Sequence, residues 1–223
     1  MFRYRTGCPW RSVPDRFGPW QTLWKRHARF SKDGTWDRVL ERLIADADRA
    51  GQVDWQLSLD STISRVHQHA ANLPREVALA LPSHTGEASN YKRQPVEPVD
   101  HAIGRSRGGL TTKLHTLVEG NGLPLVVEAG PGQGGDRPML PVLLGLLRVP
   151  RCGPGRSRTR PDALLADKAY SSRAHRELLR RKGTKAVIPE RSDQCNNRRR
   201  LGSAGGRPVT YDTELYKGRN VVE

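Results

Sequence analysis

The chain has 223 residues, enough for one good-sized domain with a small appendage, and sets 38 Lys and Arg against 23 Asp and Glu for a formal net charge of +15. That excess calls for a polyanionic partner. The apolar runs at 123–127 and 142–147 are far shorter than the ~18 residues a membrane span needs, and Arg3, Arg5 and Trp10 interrupt any apolar leader, so the expectation is a cytoplasmic protein that meets nucleic acid and no membrane. Three widely separated cysteines, Cys8, Cys152 and Cys195, form no Cys-x-x-Cys pair and exclude both a zinc ribbon and a disulfide framework.

Residues 1–16 are polar and broken by proline. Gly18-Pro19 then opens a helix, proline being tolerated in a first turn, and Trp20, Leu23, Trp24 and His27 share one face. A second helix follows Thr35, with Trp36, Val39, Leu40, Leu43, Ile44 and Ala47 as its apolar stripe and Gly51 past its end. Residues 1–52 therefore read as a small helix-turn-helix-like DNA-binding segment, or as a helical pair packed on the main domain, residues 53–223.

Apolar Leu57, Leu59 and Ile63 alternate around Asp60, the period of a half-buried strand. A carboxylate in such a strand is costly to bury unless a cation or a hydrogen-bond network meets it; the alternative is an edge strand with Asp60 in water. A second short apolar run, 163–166, leads into Asp167. Two carboxylates on two core strands point to a divalent cation, magnesium by preference with manganese as a substitute, since hard cations take oxygen ligands.

Between these strands, 66–110 lacks periodicity and is broken by Pro74, Pro82, Pro95 and Pro98, which suggests a functional loop or a disordered insertion closed by Gly104-Arg-Ser-Arg-Gly-Gly109. The runs 111–118 and 123–129 flank Glu119-Gly-Asn-Gly122, a hairpin signal. Gly130-Pro-Gly-Gln-Gly-Gly-Asp136 feeds a helix at 137–147, and without G-x-x-x-x-G-K-[ST] it predicts no nucleotide site. A Gly/Pro/Arg linker fills 148–161. After Asp167, Ser171 or Ser172 caps a helix that carries Arg180, Arg181 and Lys182 at its end and stops at Gly183. A short strand at 184–188, a basic loop at 194–207 and the start of a helix at 211–223 complete the order.

That order predicts an α/β fold, an RNase H-like mixed sheet with flanking helices, in which a central first strand and an adjacent fourth bring Asp60 and Asp167 together. The end of the chain offers a third carboxylate, because Tyr216, Arg219 and Glu223 lie along one face of a helix.

Asp60, Asp167 and the Y-x-x-R-x-x-x-E of Tyr216, Arg219 and Glu223 resemble the signature of bacterial insertion-sequence DDE transposases of the insertion sequence four/five superfamily. Arg5-Thr-Gly-Cys-Pro-Trp-Arg11, Gly18-Pro-Trp-Gln21, Asp60-Ser-Thr62, Gly104-Arg-Ser-Arg-Gly-Gly-Leu-Thr-Thr-Lys113, Ala166-Asp-Lys-Ala-Tyr-Ser171 and Gly202-Ser-Ala-Gly-Gly-Arg-Pro208 carry the same resemblance along the chain. It implies an RNase H-like catalytic core, a magnesium-binding catalytic triad of Asp60, Asp167 and Glu223, and strand cleavage and transfer at the terminal inverted repeats of a mobile element. It further implies double-stranded DNA as partner and a homo-oligomer when active. Tyr216 and Arg219 join the active-site helix, and Arg105, Arg107 and Lys113 become DNA contacts; Lys168, next to Asp167, either positions DNA or packs, and the same choice stands for Tyr170.

The family signature continues past the glutamate to a lysine and its helical head begins earlier, so the further expectation is a truncated or frameshifted transposase. Two other classes compete: a DNA-binding remnant without catalysis, and a metal-dependent phosphohydrolase pairing Asp60 with His67 and His69 around zinc or manganese.

Overall fold

The computed structural model describes residues 2–66 and 102–222, so His67, His69 and Glu223 lie outside the described residues. Its strands, in chain order, are β1 (Gln56–Arg65), β2 (Gly104–Ser106), β3 (Gly109–Val118), β4 (Pro124–Pro131), β5 (Ala163–Ala166) and β6 (Lys185–Val187). Its helices are α1 (Phe2–Thr6), α2 (Trp20–Lys32), α3 (Thr35–Arg49), α4 (Met139–Leu146), α5 (Arg173–Lys182), α6 (Ser192–Arg200) and α7 (Thr213–Lys217). No helix among the described residues is long and apolar enough to cross a membrane.

β1 is the axis of the sheet. Leu57 and Leu59 point into the core and are fully buried, while Thr62 and Ile63 supply the β-branched side chains that suit a pleated surface. β3 runs antiparallel along one edge of β1, from Ser58 opposite Val118 to Arg65 opposite Thr111. β5 runs parallel along the other, from Gln56 beside Ala163 to Leu59 beside Ala166, and β6 extends the sheet parallel to β5. The far edge of β3 is shared, β2 pairing its start and β4 the rest. This is the RNase H-like arrangement that the element order predicts.

Helices cover both faces. On one, Leu57, Leu59, Leu117 and Leu164 pack with Leu140, Leu143 and Leu144 of α4, Leu179 of α5, Tyr170 and Ile188. Each fully buried leucine contributes about 2 kcal/mol of transfer free energy, which makes this face the main source of stability. On the other, Ala163, Leu165 and Val187 lie under Tyr211, Leu215 and Tyr216.

The head is organised by a histidine. His27 of α2 accepts a hydrogen bond at Nδ1 from the Trp36 indole (3.1 Å), bonds the Tyr4 hydroxyl through Nε2 (2.9 Å) and packs on Trp10. Accepting at Nδ1 leaves Nε2 as the donor, which fixes the tautomer. Gly34 turns the chain between α2 and α3 with φ of 69°, a conformation other residues adopt at a cost. The apolar stripe expected on α3 is only partly used. Ile44 packs against the main core, and Asp48 accepts from the Trp55 indole (2.7 Å), but Val39, Leu40 and Leu43 are exposed.

Three elements differ from the sequence reading. Residues 104–109 are not merely the end of a loop: Arg105 faces Leu110 and Ser106 faces Gly109, making β2 and β3 a tight hairpin with Arg107 and Gly108 at its tip. The stretch read as a basic loop from 194 onwards instead includes α6, which begins at Ser192. It buries no residue fully and is held by polar contacts, so it has no apolar period to read. The last segment is α7 followed by a 3-10 turn over Gly218–Val222; glycine at 218 weakens continuation of the α-helix.

Candidate active site

Because Leu59 and Ala166 are side by side on parallel strands, the next residues, Asp60 and Asp167, are neighbours, with backbones about 4.8 Å apart. Strand alternation sets them on the face that Leu165 presents to Tyr216. Asp167 continues extended (φ −71°, ψ 171°), and its Oδ1 accepts from the Ala169 amide (2.7 Å), capping the 3-10 turn Lys168–Tyr170. Both carboxylates are half-buried, and neither is ion-paired among the described residues. Two such groups repel each other, and hard oxygen donors on adjacent strands suit a divalent cation. Among the described residues no three His, Cys, Asp or Glu side chains gather as a metal site.

Tyr216 covers this corner from α7. Burial raises its phenol pKa, and the Asp167 and Asp60 carboxylates raise it further against the pull of Arg219, which places the hydroxyl within their field. The Arg219 guanidinium lies 6.0 Å from the Tyr216 ring centroid. The tyrosine and arginine of the terminal motif are therefore gathered at the carboxylates. Lys168 is exposed beside Asp167. Tyr170 packs instead: it is fully buried, and its hydroxyl stays protonated because of burial first and then the charges of Asp136, Asp60 and Asp167.

Behind the carboxylates, on the opposite face of the sheet, Asp136 Oδ1 accepts from Ser61 Oγ (2.7 Å) and from Lys113 Nζ (3.0 Å), and His115 Nδ1 is 3.9 Å away. Lys113 Nζ also donates to the Gly134 carbonyl (2.8 Å). Burial would raise the Asp136 pKa, but the Ser61 and Lys113 hydrogen bonds and the Lys113 charge hold it below the ordinary value. Burial also lowers the His115 pKa, keeping the ring neutral. Lys113, expected at DNA, is thus nearly buried with its ammonium already engaged. Sequence reasoning missed this cluster, since Ser61, His115 and Asp136 are far apart in the chain.

The glycines of the loop 130–136 permit this geometry. A β-carbon on Gly132 would fall 1.7 Å from Thr111 Oγ1 and 2.9 Å from the Thr111 carbonyl oxygen, so the loop can lie against β3 only as glycine. The loop delivers Asp136 to Lys113; no phosphate cradle is needed to explain it.

Arg105 and Arg107 are exposed on the β2–β3 hairpin near Arg65, the far end of β1, five residues or about 17 Å from Asp60. α6 brings further cations closer. Gln194 bonds Ser171 and the exposed Arg191 donates to the Lys168 carbonyl (3.1 Å), while Arg199 and Arg200 are exposed at the other end of the same helix.

Residues 51–223 match the family described as "Transposase DDE domain", and residues 1–40 match "Putative transposase of IS4/5 family". The "Uncharacterized protein y4sN" of Sinorhizobium fredii (strain NBRC 101917 / NGR234) is 37% identical over 82 residues, which are 37% of this chain and 62% of that relative. The chain thus spans less than two thirds of that relative's length. No solved structure matches the chain.

Proposed function

The chain belongs to the DDE transposase family, of the IS4/5 type, and from that premise we propose that it cleaves and transfers DNA strands at the terminal inverted repeats of a mobile element. The observation that carries this reading is the juxtaposition of Asp60 and Asp167 on adjacent parallel strands with Tyr216 and Arg219 above them.

Asp60, Asp167 and Glu223 are the proposed ligands of magnesium, which manganese can replace. When bound, such a cation supplies activation of a hydroxyl and neutralisation of charge on the phosphate. The remaining tasks fall to side chains. Arg219 and Lys168 meet the phosphate oxygens of the strand at the site, Arg219 through the paired donors of its guanidinium. Tyr216, packed by its ring on Leu165, keeps a protonated hydroxyl for a strand oxygen and shields the carboxylates from water. Arg105 and Arg107 hold the duplex further along, and Lys113 enters through Asp136. Because two element ends must be brought together, the active form is a homo-oligomer on double-stranded DNA.

The test is a nicking and strand-transfer assay on duplexes that join the element ends to flanking sequence. Nicks at the boundary in magnesium or manganese, absent with Asp60→Asn or Asp167→Asn, are the expected result. Salt-sensitive binding with no cleavage under any cation would leave a DNA-binding protein as the better description.

A further inference from the structure

A half-buried carboxylate, Asp136, and a nearly buried ammonium, Lys113, sit beneath the carboxylate pair. Ion pairs that are partly withdrawn from water contribute little net stability, so the pair of nearly buried Lys113 and half-buried Asp136 is not explained by stability alone. Resting on the reading of Asp60 and Asp167 as cation ligands, we propose that Asp136 is a positioning residue for that cation site. It fixes Ser61, and through Ser61 the backbone of Asp60, at the separation from Asp167 that a divalent cation requires.

One oxygen does the joining. Asp136 Oδ1 holds Ser61 of β1 at 2.7 Å and Lys113 of β3 at 3.0 Å, and these two strands are paired through Ser61 opposite His115 and Ile63 opposite Lys113. The staple therefore closes immediately after Asp60, at the one point where β1 leaves the apolar core. On the other side Tyr170, three residues beyond Asp167, packs in the same core with its hydroxyl buried and without a hydrogen-bond partner among the described residues.

The site needs such a reference. Asp60 and Asp167 repel each other before a cation arrives, and ligands must be held within about 0.5 Å of the productive geometry to bind well. Asp136 has a second effect of the same sign. Its charge offsets Lys113, and without it an uncompensated ammonium would stand behind a site meant for a cation.

The test is manganese affinity, measured by titration calorimetry on the 223-residue chain. Melting curves without cation accompany each variant. Asp136→Asn is expected to weaken binding about tenfold, the usual scale for a residue supporting metal ligands. Ser61→Ala follows it, and Ser61→Thr, which keeps the hydroxyl, restores affinity. If Asp136→Asn does not fold, the Ser61 pair decides. Asp136→Asn with a lower melting temperature but unchanged affinity overturns the proposal and leaves the site intact, provided Asp60→Asn abolishes binding. Wild-type affinity in Asp60→Asn, or no binding by the natural chain, overturns the reading of the site and the proposal with it.

Discussion

His115 and Asp136 are the residues whose chemistry the fold alters most usefully, because both shifts make the protein sensitive to acid. The folded His115 pKa is lowered from its ordinary value of 6.5 by burial, so the unfolded chain binds a proton that the folded chain refuses. Stability from His115 is complete above about 6.5 and declines as pH falls through that value toward the folded one. The Asp136 pKa is also lowered, burial being outweighed by Ser61 and Lys113; its contribution is complete above the ordinary carboxylate value of 3.8 and is lost as pH falls through the folded value. Urea melts at pH 7.5, 5.5 and 4 should therefore give successively lower free energies of unfolding. His115→Gln should flatten the fall that begins near pH 6.5, which reports on the imidazole, and leave the loss below about pH 3.8, which reports on Asp136. An unchanged slope in that variant would assign the acid sensitivity elsewhere.

At the scale of elements, the loop from Gly130 to Asp136 shows how a glycine can be specified by another strand. Gly132→Ala has no room, since the new carbon would meet the Oγ1, the β-carbon and the backbone carbonyl of Thr111, and only the hydroxyl can rotate away. Overpacking of this kind costs about 1–3 kcal/mol, whereas Gly153→Ala, with open space around it, should be neutral. Chemical denaturation of the two variants checks the contrast. Such constraints divide what the sequence reveals from what it conceals. β1 and β5 are legible because apolar residues alternate or run together on a buried sheet. The β3–β4 hairpin is legible from Gly-Asn-Gly, and α5 from the serine and glycine at its ends. Glu119, which reads only as part of that turn, proves to be a buried carboxylate accepting from the amides of Asp54, Asn121 and Leu123. α6 and the Asp136 cluster leave no such trace. Their contacts are polar and join distant positions, Ser171 with Gln194 and Ser61 with Asp136, so no local period records them. The exposed stripe on α3 marks the converse limit: an apolar period declares a face, and packing decides whether anything covers it.

For the whole molecule, the formal charge of +15 becomes informative only when surface cations are separated from engaged ones. Arg105 and Arg107 project from the β2–β3 hairpin, whereas Lys113, a few residues on, is committed to Asp136 and Gly134. Binding to duplex DNA releases counterions in proportion to the phosphates that are neutralised, so the logarithm of the affinity falls with the logarithm of salt by about 0.9 per contact. If Arg105 and Arg107 each meet a phosphate, changing both to alanine should lower that slope by about 1.8 and weaken binding most at low salt. Lys113→Gln, compared under conditions where it remains folded, should leave the slope unchanged, because its ammonium makes no contact with solvent ions to exchange. Fluorescence anisotropy over a range of salt concentrations measures both quantities at once. A slope that drops by about one unit in Lys113→Gln would mean that Asp136 releases the lysine when DNA binds, and that the ion pair opens with the substrate in place.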